Sequence, residues 1–210
     1  MAAGQGTRFG GQKQYEALGG RRVLDWSLAA ARSVAQAVVL VVPPAQVDRR
    51  EPRADVVVAG GASRSASVRA GLAAVPASVD LVLVHDAVRP LATPALFAAV
   101  VAAVEAGADA AVPALPLADT VKRVDGDLVV ETVDRRALVV VQTPQAFRAE
   151  VLRAAHARGG DATDDAALVE QAGGAVKVVP GERHNVKLTT RDDLDVARLL
   201  VDTQRCPPAR

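Results

Sequence analysis

The chain has 210 residues, half of them apolar, with a formal net charge of +1 and one cysteine. That balance gives no electrostatic case for nucleic acid or an anionic membrane, and no apolar run is long enough to span a bilayer. Cys206, in a Cys-Pro-Pro-Ala-Arg tail, excludes an intrachain disulfide and belongs to no thiol motif, so a reducing cytoplasm is the expected setting.

The length suggests one domain. Its apolar content is Ala, Val and Leu, with one Trp, one Tyr and three Phe, which suits strands of valine covered by alanine-rich helices.

In chain order, the first feature is a loop, Met1-Ala2-Ala3-Gly4-Gln5-Gly6-Thr7-Arg8, followed by Gln12-Lys13-Gln14-Tyr15. Gly4 and Gly6 permit a tight turn whose N–H groups face an anion, and Arg8 and Lys13 bring positive charge to it. It is not a P-loop, because no Gly-Lys-Ser/Thr follows, nor a dinucleotide fingerprint, which needs a third glycine and a preceding strand. Alone it reads better as an ordinary loop with solvated charges.

A helix is expected over Val23–Val34, then a buried strand over Ala37–Val42 stopped by Pro43-Pro44. After a polar surface stretch, Ala54–Val58 reads as a short strand ending at Gly60-Gly61, and Ser63–Val75 as a helix. Val79–Val84 is a strand that runs into His85-Asp86-Ala87-Val88-Arg89-Pro90. Thr93-Pro94 opens a helix to about Glu105 as cap and first-turn proline, and Ala108–Ala114 is the next strand.

This alternation predicts a three-layer α/β/α architecture with a mostly parallel, doubly wound sheet. Val121–Val124 and Leu128–Val133, joined by Asp125-Gly126-Asp127, then read as a projecting hairpin of the kind that pairs with another subunit. Leu138–Val141 returns to a buried strand and ends at Gln142-Thr143-Pro144-Gln145. Helices follow at Ala149–Arg158 and from Thr163, capped by Thr163 or Asp164. Val176–Val179 is a late strand and His184–Leu188 an edge piece. A closing helix at Asp192–Val201 has Thr190 as its cap.

The chemistry-bearing residues gather at strand ends, where open parallel sheets bind ligands. His85-Asp86 with Arg89 ends one strand, Gly60-Gly61 with Arg64 and Ser67 another, and Thr143 a third. Asp86 there either holds Mg²⁺ or a ribose hydroxyl, or simply caps the turn. Lys122, Arg123, Arg135 and Lys187 also sit at segment ends, as anion donors or as surface charges. No nucleophile elbow and no zinc cluster is present, and His85, His156 and His184 are scattered, with His156 expected on a helix surface. What remains is phosphoryl or nucleotidyl transfer, catalysed by positioning and by neutralising charge.

Ala2–Arg8, Lys13-Gln14-Tyr15, Gly60-Gly61 with Arg64 and Ser67, and His85–Pro90 together resemble the 2-C-methyl-D-erythritol 4-phosphate cytidylyltransferases. So do Asp119-Thr120-Val121-Lys122, Thr132–Arg135, Thr143-Pro144-Gln145 and Asn185–Thr189, so the resemblance covers almost the whole chain, in family order. It implies a nucleotide-diphospho-sugar transferase type of fold and a reaction of CTP with 2-C-methyl-D-erythritol 4-phosphate. The products are the CDP-alcohol of the non-mevalonate isoprenoid pathway and pyrophosphate, with Mg²⁺ carried mainly on the CTP phosphates.

It further implies that Arg8, Lys13 and Lys187 act at the α-phosphate, and that Gly4 and Gly6 wrap the triphosphate. Ala2, Ala3, Gly61, Ala62 and Ser67 would hold cytosine and ribose, with Asp86 at the boundary of nucleotide and acceptor. Asp86 and Arg89 would face the alcohol, while Thr120, Arg135, Thr143 and Lys187 surround its phosphate. Arg135 would come from a partner in a homodimer built through the arm at about 119–135.

Two departures stand out. Gln12 replaces a proline common in the family, and Met1 stands where an apolar strand would run into Pro-Ala-Ala-Gly. The expectation is therefore that the expected first strand is absent and that the true start lies roughly ten residues upstream. Its neighbours would be left unpaired and the loop untethered. A ribitol-5-phosphate cytidylyltransferase shares most of these motifs, and a weakened homologue kept for binding is the alternative outside enzymes.

Overall fold

The computed structural model describes residues 1–4 and 6–205; Gln5 and the tail from 206, with Cys206, lie outside the described residues, as do the side chains of 204 and 205. After the opening loop come two short paired strands, β1 (Ala17–Leu18) and β2 (Arg21–Arg22), and then helix α1 (Val23–Arg32). β3 (Val39–Val42), β4 (Val56–Ala59), α2 (Arg64–Ala73), β5 (Leu81–Val84), α3 (Pro94–Glu105) and β6 (Ala110–Pro116) follow. β7 (Val121–Asp125) and β8 (Leu128–Val133) form the hairpin, and β9 (Val139–Val141), β10 (Gln145–Arg148), α4 (Ala149–Ala157), α5 (Asp165–Gln171), β11 (Val176–Pro180) and α6 (Arg191–Arg205) complete the chain.

Helix starts follow the sequence. Ser63, Thr93 and Asp164 each accept a hydrogen bond from the backbone N–H three residues on. Thr190 and Asp193 bond reciprocally at the start of α6, as a capping box.

The main sheet runs β11–β6–β10–β5, with β9 paired to the far end of β6. β11 is parallel to β6, but β10 is antiparallel to both β5 and β6, and β9 is antiparallel to β6. The sheet is therefore mixed rather than mostly parallel. The cause is the stretch after Thr143, which reads as a loop in sequence but turns at Pro144 and runs back along β5 as β10.

Alternate residues of the sheet face two helical layers. Ala110, Val112 and Phe147 pack with Val68, Leu152, Leu168 and Val169 of α2, α4 and α5. Ala111 and Ala146 pack with Val100, Ala103 and Val104 of α3. This period of two, with both faces covered, is what an apolar central strand requires.

β3 and β4 form a separate parallel pair. Between β3 and β5 lies an apolar cavity of about 800 Å³ lined by Val39, Val41, Leu72, Val82, Val84 and Phe97 among others. Only its mouth is bridged. The Met1 amine donates to His85 O (2.6 Å), Ala87 N donates to Met1 O (2.9 Å) and Ala2 N donates to Val41 O (2.7 Å). That alternation is the bonding of a parallel strand shared between two neighbours. The loop is thus tethered at its root, contrary to expectation, while the facing edges of β3 and β5 above it stay apart.

Two further expectations are corrected, on the late edge piece and on His156, while the hairpin forms as expected. His184–Leu188 forms no strand; its link to the core is Leu188 N donating to Val88 O (2.9 Å), with the Leu188 side chain fully buried. His156 is not on the surface but 3% exposed, because Asp165 gives it a buried partner. The hairpin bonds to itself, with its register shifted at Arg123/Val124, and it exposes Val124, Leu128, Val129 and Val130. Among the described residues, no helix is long and apolar enough to cross a membrane.

Candidate active site

The opening loop closes on Gly6, whose carbonyl accepts from the N–H groups of Phe9 (2.9 Å), Gly10 (3.0 Å) and Gly11 (3.2 Å). Gly6 has φ +68°, and a Cβ there would lie 1.9 Å from the Gly11 carbonyl oxygen, so only glycine fits. Buried Gln14 fastens the loop from behind, its Nε2 donating to Ala2 O (2.9 Å) and Gly4 O (3.3 Å). Gln14 immediately follows Lys13, so the same turn that pins the loop also aims Lys13 at the site.

The end of β4 meets this loop. A Cβ on Gly60 would stand 2.3 Å from Ala3 Cβ and 2.9 Å from Ser67 Oγ, so the absence of a side chain lets strand, loop and α2 converge. Ser67 Oγ accepts from Gly61 N (3.1 Å) and donates to Ser63 O (2.9 Å). Ala2, Ala3, Gly61 and Ser67 are thereby gathered, with Ala62 exposed beside them.

On the other side the ends of β5 and β9 are locked together. Asp86 N donates to Thr143 Oγ1 (3.0 Å), and His85 Nδ1 lies 3.2 Å from the same hydroxyl. Arg89 Nη1 donates to Asn185 O (2.8 Å), and Asn185 Nδ2 donates to Thr143 O (2.9 Å). Asn185 thus fixes the segment that carries Lys187. The Lys187 ammonium reaches Asp86 Oδ2 at 2.8 Å, and Arg64 Nε stands 3.9 Å from Asp86 Oδ1.

Burial alone would raise the Asp86 carboxyl, but Lys187 and Arg64 hold it well below the usual carboxylate range. It is ionised wherever the protein is folded at neutral pH. Lys13 is pushed down from the ordinary lysine value by burial first, and then by the charges of Lys187 and Arg8. Lys13 is therefore close enough to feel the charges of both Lys187 and Arg8. Burial also pushes the His85 imidazole down to about 3, so it stays neutral and serves as a hydrogen-bonding strut.

Asp86, Arg89, Thr143 and Lys187 line one polar cavity of about 210 Å³, with Arg64, Gln142, Gln145, Thr163 and Asp164. The larger cavity between β3 and β5 is lined mainly by apolar side chains, with no arginine or lysine, and is not the site. Thr120 and Arg135 are exposed at the base of the hairpin and do not line the polar cavity within one chain. Arg135 Nη1 donates to Ala118 O.

Sequence reasoning missed Thr163, Gln142 and Gln145 as cavity residues. Thr163 and Asp164 are visible there only as helix caps, and nothing local marks a cap as facing a pocket.

A phosphate-shaped loop, converging cations and a polar cavity at the strand ends of an α/β sheet define a nucleotidyltransferase. The family model of IspD, 2-C-methyl-D-erythritol 4-phosphate cytidylyltransferase, matches residues 1–203, and the chain belongs to that family.

A 2-C-methyl-D-erythritol 4-phosphate cytidylyltransferase from Frankia casuarinae is 49% identical over 99% of this chain and 81% of its own length. A bifunctional IspD/IspF enzyme from Clavibacter michiganensis is 46% identical over 96% of this chain, which spans only 53% of that relative. The crystal structure of the Thermus thermophilus cytidylyltransferase superposes with a TM-score of 0.82 at 41% identity, covering 90% of this chain and 94% of that one. The chain is a CTP-dependent cytidylyltransferase. It joins CTP and 2-C-methyl-D-erythritol 4-phosphate to give the CDP-alcohol and pyrophosphate in the non-mevalonate pathway.

Proposed function

We propose that this reaction is carried by Arg8, Lys13 and Lys187 acting on the α-phosphate of CTP. An oxygen of the acceptor phosphate attacks that phosphorus, and the bond to the pyrophosphate leaving group breaks. Attack of an anion on an anion is opposed by repulsion, so fixed cations around the phosphorus supply most of what a protein can add. The single observation that carries the reading is the crowding of Lys13 with Lys187 and Arg8, which has a cost in the free protein and is relieved by a triphosphate.

Gly4 and Gly6 give the backbone of the triphosphate loop. Ala2, Ala3, Gly61, Ala62 and Ser67 receive cytosine and ribose, and Asp86 stands between nucleotide and acceptor. Arg89, Thr143 and Lys187 receive the acceptor, with Asp86 fixing the Lys187 ammonium.

No group of three His, Cys, Asp or Glu side chains suited to a metal occurs among the described residues. Mg²⁺ would then be held mainly by the triphosphate oxygens, with Asp86 and Asp164 the carboxylates lining the cavity. When bound, the ion would add positive charge at those oxygens.

The chain acts as one domain with an arm at about 119–135, in a homodimer. The support is a hairpin that, among the described residues, pairs only with itself and carries Leu128 at 74% and Val129 at 59% exposure. Thr120 and Arg135 at its base would complete the neighbouring protomer's acceptor pocket. The charge balance and single cysteine suit the cytoplasm.

Pyrophosphate release from CTP, measured with 2-C-methyl-D-erythritol 4-phosphate and with ribitol 5-phosphate side by side, tests the assignment. Turnover with the first and little with the second is expected, and the reverse preference would overturn it.

A further inference from the structure

The polar cavity has a wall that the reaction scheme does not use. Arg64, the first residue of α2, lines it, and its Nε and Nη1 are buried without a hydrogen-bond partner among the described residues. Its third nitrogen, Nη2, is held at 2.7 Å by Asp165 Oδ2. Asp165 is wholly buried at the start of α5, and its other oxygen lies 3.0 Å from Nε2 of buried His156 in α4. A carboxylate is rarely placed so deep unless its charge is answered. Here it is answered on one side by a guanidinium that reaches the cavity.

We infer that Asp165, backed by His156, is a positioning residue that holds Arg64 across the cavity so that its free donors receive the acceptor's phosphate. This rests on the reading of the cavity as the acceptor pocket.

Two carboxylates compete for Arg64. Asp86 is the nearest alternative partner, and Arg64 Nε stays 3.9 Å from it while Lys187 occupies the other Asp86 oxygen at 2.8 Å. With Asp165 neutral, Arg64 swings onto Asp86. The open donors are then consumed, while Lys187 keeps the other Asp86 oxygen. With Asp165 charged, Arg64 keeps Nη2 on the protein and leaves Nε and Nη1, on different edges of the guanidinium, each to donate one charge-assisted hydrogen bond to an incoming dianion. The three helices concerned, α2, α4 and α5, pack together on one face of the sheet, so the chain His156–Asp165–Arg64 sits on a rigid base.

The test is steady-state kinetics of Asp165→Asn, Arg64→Met and the double variant, with CTP and 2-C-methyl-D-erythritol 4-phosphate varied separately. Asp165→Asn is expected to raise the acceptor KM at least tenfold, with the CTP KM within twofold and kcat within threefold. Arg64→Met is expected to do the same, and Asp165→Asn added to it to change the acceptor KM less than twofold.

An acceptor KM unchanged in Asp165→Asn, equal rises in both KM values, or a full additional effect in the Arg64→Met background would overturn the inference. If Asp165→Asn does not fold, Arg64→Met decides: an unselective effect on the two substrates rejects it. An unsubstituted enzyme with no pyrophosphate release from any polyol phosphate would remove the pocket reading and this inference together.

Discussion

Appending five extended apolar residues, such as Val-Val-Ala-Ile-Val, ahead of Met1 should stabilise the protein markedly. The cavity between β3 and β5 has about 800 Å³, and its mouth already carries the parallel bonding of Met1 and Ala2 to both edges. A five-residue strand advances roughly 16 Å, enough to pass both four-residue strands. Burying its side chains contributes about 10 kcal/mol at ~2 kcal/mol each, and ordering the residues costs about 8 kcal/mol. Ladder hydrogen bonds add about 2 kcal/mol.

The extension also converts the Met1 amine to an amide. Burial, with Arg64 adding to it against Asp86 and Asp165, pushes that amine down from 8.0 to about 6. A lowered amine makes the folded state bind fewer protons than the unfolded one, so stability rises with pH between about 6 and 8 and is lost as pH falls through that window. At pH 7 the cost is about 1 kcal/mol. The net gain at pH 7 is therefore about 5 kcal/mol, or roughly 10–20 °C in Tm for a chain of this size. Thermal melts of the extended and original chains at pH 6 and pH 8, with an Asp/Lys-substituted extension as control, measure it. An unchanged Tm, or an equal gain from the charged extension, would refute the reasoning. So would a pH 6–8 slope that survives the extension.

Other outcomes follow from the site. Lys13→Ala should lower turnover about 10²–10³-fold, the usual effect of losing one preorganised charge donor, with the oligomeric state intact by sedimentation; near-normal turnover would sink the role given to Lys13. Gly6→Ala must either place its Cβ 1.9 Å from the Gly11 oxygen or abandon the φ +68° turn, and a left-handed alanine costs about 1–2 kcal/mol besides. Its CTP KM should rise at least tenfold while Tm falls by only a few degrees, since the loop lies outside the sheet; wild-type CTP affinity would contradict this. Leu128→Asp with Val130→Asp, on one face of the exposed hairpin, should convert a dimer to monomers by light scattering and reduce turnover with it. A dimer that persists would place the interface elsewhere.

The elements that sequence made legible are those whose periodicity and caps agree. α3 begins where Thr93-Pro94 says it should, and α2, α5 and α6 begin at hydroxyl or carboxylate caps. β10 was illegible because Gln145–Arg148 is short and follows a proline, and only its pairing with β5 and β6 makes it a strand. In the site, Asp86, Thr143 and Lys187 could be named because each ends an apolar run. His156 and Asp165 could not, since they meet across a turn between two helices and each alone looks like surface charge. Thr120 and Arg135 are a third kind of case. The proposed reading puts them in a pocket of a second chain, a placement that no pattern within one chain would encode.

The site's charges suggest why the free protein tolerates such an arrangement. Asp86 is shared between Lys187 and Arg64, and Arg64 is shared between Asp86 and Asp165. Each of these two cations is thus partly neutralised before substrate arrives, and the carboxylates that do this are buried and cannot move away. For Lys13 the opposing carboxylates, Asp193 and Asp86, weigh less than burial and the charges of Lys187 and Arg8, and its depression is the mark of that imbalance. The two halves therefore ask for different ligands. The loop half gains most from a polyanion that answers crowded positive charge. The cavity half is poised for an anion that takes up donors already aimed but only partly used. A triphosphate at the loop and a monophosphate in the cavity satisfy both, and they meet at Lys187, which is near Lys13 and bonded to Asp86. The phosphorus under attack belongs at that junction, where neutralising charge can be drawn from both sides.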